Sequence, residues 1–224
     1  MPPFEAPPTA PPAVALLAVQ VLVLAKEPVA GRVKTRLCPP LTPHGAAAVA
    51  TAALEDTLAT VRAVPVARRV LVLDGSYPAP GFDLQPQGAG RMDERLGDAF
   101  DDAAGRSPLP VLLVGMDTPQ LTPALLHQAA TALLAHGAVL GLAPDGGWWT
   151  LGLQRPDGAL LRGVLTSQDD TGARQLDRLL AAGLVPHLLP ELRDVDTVAD
   201  ALAAAELAPG SRFAAALADH LAGG

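Results

Sequence analysis

The sequence predicts an α/β protein with a mainly parallel sheet covered on both faces by helices, and three observations carry that prediction. Apolar runs of strand length recur at residues 21–24, 70–73, 111–114 and 139–142. Their lack of polar alternation suits strands buried on both faces. Ala- and Leu-rich stretches of helical length lie between them, as in successive β-loop-α units. Two of those stretches open on the same triplet, Leu-Thr-Pro at 41–43 and 121–123. In each, a threonine stands as N-cap before a proline at the first helical position.

Taken in order, residues 1–12 hold six prolines and read as a disordered tail. Residues 13–224 then form one domain, with no linker to divide it. The first strand falls at about 18–25, followed by a loop to Leu37 and a helix to about Val61. A strand at 70–73, after Arg68 and Arg69, ends at Asp74-Gly75. A Pro/Gly-rich stretch at 77–90 is loop with one short strand near 82–84. Leu96 and Phe100, four apart, place a helix over 93–104. The strand at 111–114 runs into Gly115-Met116-Asp117-Thr118-Pro119, and the helix after Pro123 ends at Gly137 in a left-handed cap. Strands at 139–142 and 148–153, a helix at 169–182, a strand at 184–189 and a helix from Val195 complete the chain.

Composition narrows the function. Half of the 224 residues are apolar and 17% are charged, which specifies a folded globule. The net charge of −7 argues against a nucleic-acid or membrane-surface partner, which would need a basic face. Cys38 is the one cysteine, so an intramolecular disulfide is excluded. The longest apolar stretch, 13–25, is too short for a membrane span and contains Gln20. Nothing basic precedes it and no cleavage pattern follows it, so the expectation is a cytoplasmic protein. The five histidines show no metal-ligand spacing, and no Walker, GxGxxG or GxSxG motif occurs. The Ala-rich segment 212–222 is read either as a docking helix, which a homodimer would use, or as a loosely held end.

Against the acidic whole, one loop is basic. Lys26, Arg32, Lys34 and Arg36 fall within 11 residues, where an even spread of the chain's 16 Lys and Arg would give about 0.8. A cationic, glycine-containing loop at the end of a strand suits an anionic ligand at the carboxyl edge of a parallel sheet, most simply a nucleotide diphosphate. Three more stretches follow strands. Asp117 reads either as a ligand for Mg²⁺ or Mn²⁺ or as the cap of the Thr118-Pro119 turn. Asp145-Gly146-Gly147-Trp148-Trp149 reads either as an acceptor site or as a hairpin turn. In the acceptor reading Asp145 takes a proton, and one indole faces the core while the other faces a pocket. Asp194 and Asp196, two apart, share a side of an extended segment, and Asp196 is either a second metal ligand or a helix N-cap.

Together these motifs resemble a known family. Residues 25–37, AKEPVAGRVKTRL, are similar to the opening of a bacterial family catalogued as a domain of unknown function. Its members are labelled cofactor-guanylyltransferase-like glycosyltransferases, some in arsenosugar biosynthesis. The likeness continues through GMDTPQL at 115–121, DGGWWTLGL at 145–153 and DVDT at 194–197, covering roughly 18–205. It implies a GT-A type, Rossmann-like three-layer sandwich of the nucleotide-diphospho-sugar transferase superfamily. It implies that Ala25, Lys26, Gly31, Arg32, Lys34, Thr35 and Arg36 hold the nucleotide phosphates, with Gln87 and Gly88 near the base or ribose. It also implies that Asp117 holds a metal with Asp196 as second ligand. Where this chain has Trp148-Trp149 the family commonly has two tyrosines. Where it reads Val164-Leu165-Thr166-Ser167, the family often has Pro-Trp-Ser-Thr or Pro-Met-Ser-Thr. Both departures fall on the acceptor side, so the resemblance does not carry the acceptor's identity.

The expectation is therefore a metal-dependent glycosyltransferase moving a sugar from a nucleotide-sugar to a small or natural-product acceptor. Lys34 and Asp117 would stabilise the leaving diphosphate, and Asp145, with Gly146, Gly147, Trp148 and Trp149 around it, would activate the acceptor. The alternatives are a guanylyl- or cytidylyltransferase that uses a nucleotide triphosphate and a phosphorylated acceptor, and a non-catalytic nucleotide-binding partner protein.

Overall fold

The computed structural model describes residues 15–223, so the proline-rich tail expected at 1–12 lies outside the described residues. Seven strands form one sheet: β1 (Leu17–Lys26), β2 (Val66–Asp74), β3 (Asp83–Pro86), β4 (Val111–Gly115), β5 (Ala138–Leu142), β6 (Trp148–Leu153) and β7 (His187–Leu189). Their order is β3-β2-β1-β4-β6-β5-β7, and β6 runs antiparallel to both of its neighbours while the other pairings are parallel. The helices are α1 (Pro43–Ala63), α2 (Met92–Arg106), α3 (Pro123–His136), α4 (Thr171–Ala181), α5 (Val198–Leu207) and α6 (Arg212–Ala222).

The two faces of β1 show why the sheet is covered twice. Val19, Val21 and Val23 pack with Leu54 and Leu58 of α1 and with Leu126 and Leu133 of α3. Leu22, pointing the other way, packs with Leu96 and Phe100 of α2 and Leu179 of α4. Gln20, buried within this apolar strand, donates to the carbonyls of Leu109 (3.0 Å) and Ala103 (3.3 Å) and accepts from Arg68 Nη1 (3.1 Å). Its polar atoms are thereby satisfied against the carboxyl end of α2.

A third apolar layer covers the outer side of α1. Ala46, Val49 and Ala53 meet Ala201 and Ala204 of α5 and Phe213 and Leu217 of α6. Small side chains let α1 be packed from both sides, which accounts for its alanine-rich sequence. The segment 212–222 is thus a helix seated on α1 of its own chain. Both Thr-Pro starts cap as expected: Thr42 Oγ1 accepts from Gly45 N at 3.1 Å and Thr122 Oγ1 from Leu125 N at 3.2 Å. Gly137 closes α3 at φ 81°.

Several boundaries differ from the sequence reading. β2 begins at Val66 and takes Arg68 and Arg69 into the strand, because their guanidinium groups find Asp83 and the terminal carbonyls of α1. A 3₁₀ turn occupies Thr35–Leu37 inside the basic loop. The final helical region is two helices separated by Ala208–Ser211. No helix among the described residues is long and apolar enough to cross a membrane.

Candidate active site

The topology fixes where the functional loops meet. Six strands point the same way, so Lys26, Asp74, Gln87, Asp117 and the segment after β7 all leave from one edge of the sheet. The antiparallel β6 starts at that same edge, which brings Trp148 there too. β1 and β4 are adjacent but not consecutive, and a crevice opens between their carboxyl ends, the usual ligand position in an open α/β sheet.

Lys34 is the hinge of this crevice. It adopts a left-handed backbone (φ 47°, ψ 37°), uncommon for a residue with a side chain. Leu37, fully buried three residues later, anchors the turn. The ammonium stands 2.9 Å from Asp117 Oδ1 and 3.9 Å from Asp196 Oδ1, and donates to the carbonyl of Val195. Asp117 also accepts Val195 N–H on its own carbonyl (3.1 Å), so the end of β4 and the 194–196 turn are tied together. Burial alone would lower the Lys34 pKa. The Asp117, Asp194 and Asp196 carboxylates outweigh it and hold the ammonium above its ordinary range. Asp194 is pushed up to about 7, first by burial and next by the Asp117 charge.

Two cavities flank this group. The first, about 400 Å³, is walled by Ala25, Lys26, Arg32, Lys34, Thr35 and Arg36 of the loop, with Gln87 opposite. Arg95 and Asp74, 3.3 Å apart, close one side. Lys34, Arg36 and Arg95 are paired with carboxylates, whereas Lys26 and Arg32 have no acidic partner among the described residues. Gln87 Nε2 donates to Ala25 O at 2.7 Å, leaving its buried Oε1 without a partner.

The second cavity, about 540 Å³, is walled by Asp145, Gly147, Trp148, Thr118, Ser167 and Asp169, among others. The 143–147 segment is a hairpin turn joining β5 to β6, in which Asp145 Oδ1 accepts Gly147 N–H at 3.0 Å. Gly146 sits at φ +87°, and a Cβ there would stand 1.9 Å from the Asp169 carbonyl oxygen. Only glycine lets the turn lie against the start of α4. Trp149 is 3% exposed, lies over Gly141 and donates to Pro190 O at 3.0 Å, while Trp148 stays half-exposed at the cavity wall.

The structure thus brings the loop cations, Gln87, Asp117, Asp145, Asp196 and both tryptophans to one edge. Gly31, Gly88 and Gly146 shape backbone and do not line either cavity. Asp196 is not the cap of α5: Thr197 fills that position, with Asp200 completing the box. Asp117 caps no turn either: Lys34 Nζ takes its Oδ1 at 2.9 Å, and no backbone N–H among the described residues donates to its carboxylate. Asp74, Arg95, Thr118 and Asp169 were missed. Asp74 shared the signal that marked Asp117, a carboxylate straight after a strand, whereas Arg95 arrives only through the path of α2.

The donor set fits a hard divalent cation. Asp117 and Asp196 turn their carboxylates to one point beside the crevice, where the Lys34 ammonium balances them at 2.9 and 3.9 Å. No group of three or more His, Cys, Asp or Glu side chains with metal-holding geometry occurs among the described residues. A cation there would complete its shell with phosphate and water oxygens, as Mg²⁺ commonly does.

This is the nucleotide-diphospho-sugar transferase fold. A crystal structure from Desulfovibrio desulfuricans G20, provisionally named a nucleotide-diphospho-sugar transferase, superposes with a TM-score of 0.82 at 22% identity, covering 91% of this chain and 95% of that one. Rv0371c from Mycobacterium tuberculosis H37Rv (TM-score 0.53, 21% identity, 86% of this chain and 100% of that one) shares the fold, and a manganese complex of that protein has been solved. So does 2-C-methyl-D-erythritol 4-phosphate cytidylyltransferase from Thermus thermophilus, with a TM-score of 0.52 at 20% identity over 87% of this chain and 100% of that one. The chain belongs to the family described as uncharacterized proteins conserved in bacteria (DUF2064), which matches residues 48–168. That span includes Asp117 and the 145–149 turn but neither the basic loop nor Asp196. No curated protein matches the sequence.

Proposed function

We propose that the protein is a metal-assisted glycosyltransferase that holds a nucleotide-sugar in the first cavity and passes the sugar to an acceptor hydroxyl in the second. The observation that carries this reading is the shared border: Asp117, Asp196 and Arg36 line both cavities. A leaving diphosphate and an attacking group would therefore face each other across them.

Lys26 and Arg32, the unpaired cations, bind the diphosphate, and the Gln87 Oε1 accepts an N–H from the base. Asp117 and Asp196 would hold Mg²⁺ or Mn²⁺, which supplies Lewis-acid stabilisation of charge on the leaving diphosphate. Lys34 keeps the two carboxylates aimed at that point. Asp145 takes the acceptor hydroxyl's proton on the oxygen that is free of the Gly147 bond. The acceptor oxygen bonds to the anomeric carbon, the bond from that carbon to the diphosphate oxygen breaks, and the nucleoside diphosphate leaves with the electron pair. The fold shared with a provisionally named nucleotide-diphospho-sugar transferase, with a protein solved as a manganese complex and with a cytidylyltransferase supports a metal-assisted transferase that takes a nucleotide, without separating glycosyl from nucleotidyl transfer.

Calorimetry with purified protein, Mn²⁺ or Mg²⁺ and a nucleotide-sugar panel tests it, with sugar transfer followed by mass spectrometry. Absence of any binding tighter than about 1 mM contradicts the reading. Pyrophosphate release from GTP or CTP with a phosphorylated acceptor would replace it with nucleotidyl transfer. An Asp117→Ala variant that keeps its fold should lose turnover.

A further inference from the structure

We infer that the second cavity selects a non-anionic acceptor, a neutral or amine-bearing hydroxyl compound, and turns away phosphorylated ones. This rests on the transferase reading and adds the acceptor's class to it. The two cavities differ sharply in charge. The first is lined by five cationic side chains and three carboxylates. The second has Arg36 as its one cationic lining residue against five aspartates, of which Asp117, Asp145, Asp169 and Asp196 carry the charge contrast.

Pairing widens the contrast. Asp117 and Asp196 are engaged by Lys34 and Arg36. Asp145 and Asp169 have no cation within ion-pair distance among the described residues. Inside a cleft of low dielectric, unpaired carboxylates repel an incoming phosphate far more than they would at an open surface. Such repulsion discriminates between ligands even where attractive contacts are equal.

Two features independent of charge show what the cavity can hold. Thr118 is 3% exposed, and its buried Oγ1 has no hydrogen-bond partner, yet the residue lines the cavity. A ligand hydroxyl could satisfy it. Trp148 offers a half-exposed indole, a platform for the C–H face of a sugar or for an ammonium group. Neither feature favours an anion.

The indole also supplies the test. Trp148 and Trp149 are the chain's two tryptophans, and Trp149 is buried, so quenching reports on Trp148. Iodide, caesium and acrylamide are compared at fixed ionic strength in the wild type and in a D145N/D169N variant. Asparagine at 145 keeps the Oδ1 that accepts Gly147 N–H. Acrylamide and caesium should reach the wild-type indole, and the iodide constant should rise about threefold or more in the variant.

Equal iodide quenching of the two proteins overturns the inference, as does failure of acrylamide to quench. Better protection from acrylamide by glucose 6-phosphate than by glucose also overturns it. Nucleotide binding measured on the same samples separates the two claims. Its loss sinks the transferase reading, whereas iodide access with nucleotide binding intact sinks only the charge selection.

Discussion

Replacing Lys34 with methionine keeps most of the side-chain volume and removes the one positive charge that joins the two carboxylates at the crevice. Breaking a fully buried ion pair costs about 3–5 kcal/mol. The Lys34 side chain is 11% exposed, but Asp117 and Asp196 are 34% and 47% exposed, so water recovers part of that cost. The Val195 carbonyl also loses its donor, worth about 1 kcal/mol. The net expectation is about 3 kcal/mol of destabilisation, or roughly 6–12 °C in Tm for a domain of this size. Urea and thermal unfolding followed by circular dichroism measure it. The sign with pH is fixed by the raised lysine pKa: the wild type's advantage is complete below about 10.5 and disappears as pH rises through the higher folded value. A double-mutant cycle with Asp117→Asn should give a coupling energy above about 1 kcal/mol. A Lys34→Met protein within about 1 kcal/mol of wild type, or a cycle with no coupling, would refute the claim that this ammonium holds the crevice together.

Lys26→Ala and Arg32→Ala should each weaken nucleoside diphosphate binding by roughly 10- to 100-fold in calorimetry, with unfolding curves unchanged, because each loses a charge-assisted contact and no internal partner. Gly146→Ala forces a side chain into φ +87° and onto the Asp169 carbonyl. Chemical unfolding should show a loss of about 2–4 kcal/mol while the first cavity still binds nucleotide. Asp93, 2% exposed, is held at a pKa of about 2 by its bonds to Arg91 and to the Gly163 N–H. Its stabilisation is present above pH 3.8 and lost as pH falls through about 2, so wild type and Asp93→Asn should converge across that window. The gap at neutral pH should be on the order of 1–2 kcal/mol.

What the sequence could reveal was whatever local chemistry decides. β4 and β6 are legible because both faces of each strand are buried, and the two Thr-Pro starts and Gly137 because capping involves neighbours three or four residues away. Arg68 and Arg69 mislead, since charge ordinarily marks a turn, and only the fold supplies the acceptors that let them stay in a strand. The start of α5 shifts for a related reason: Thr197 with Asp200 makes a better cap than Asp196, which Arg36 holds at 2.9 Å from a distant loop. In the site, a cation-rich loop and carboxylates after strands can be read as separate features. That Lys34 lies between Asp117 and Asp196, that Lys26 and Arg32 are the cations of the first cavity without an acidic partner among the described residues, and that Asp169 joins the wall of the second cavity all depend on sheet order. No window of residues contains it.

The central claim is that a diphosphate in the first cavity and a cation on Asp117 and Asp196 meet at the border of the second. Diffraction from crystals grown with Mn²⁺ and a nucleoside diphosphate, with the metal located by its anomalous signal, tests this most directly. The account predicts manganese bound to Asp117 and to diphosphate oxygens, with Lys26 and Arg32 on the phosphates. A diphosphate bound away from the basic loop, or manganese with no contact to Asp117, would contradict it.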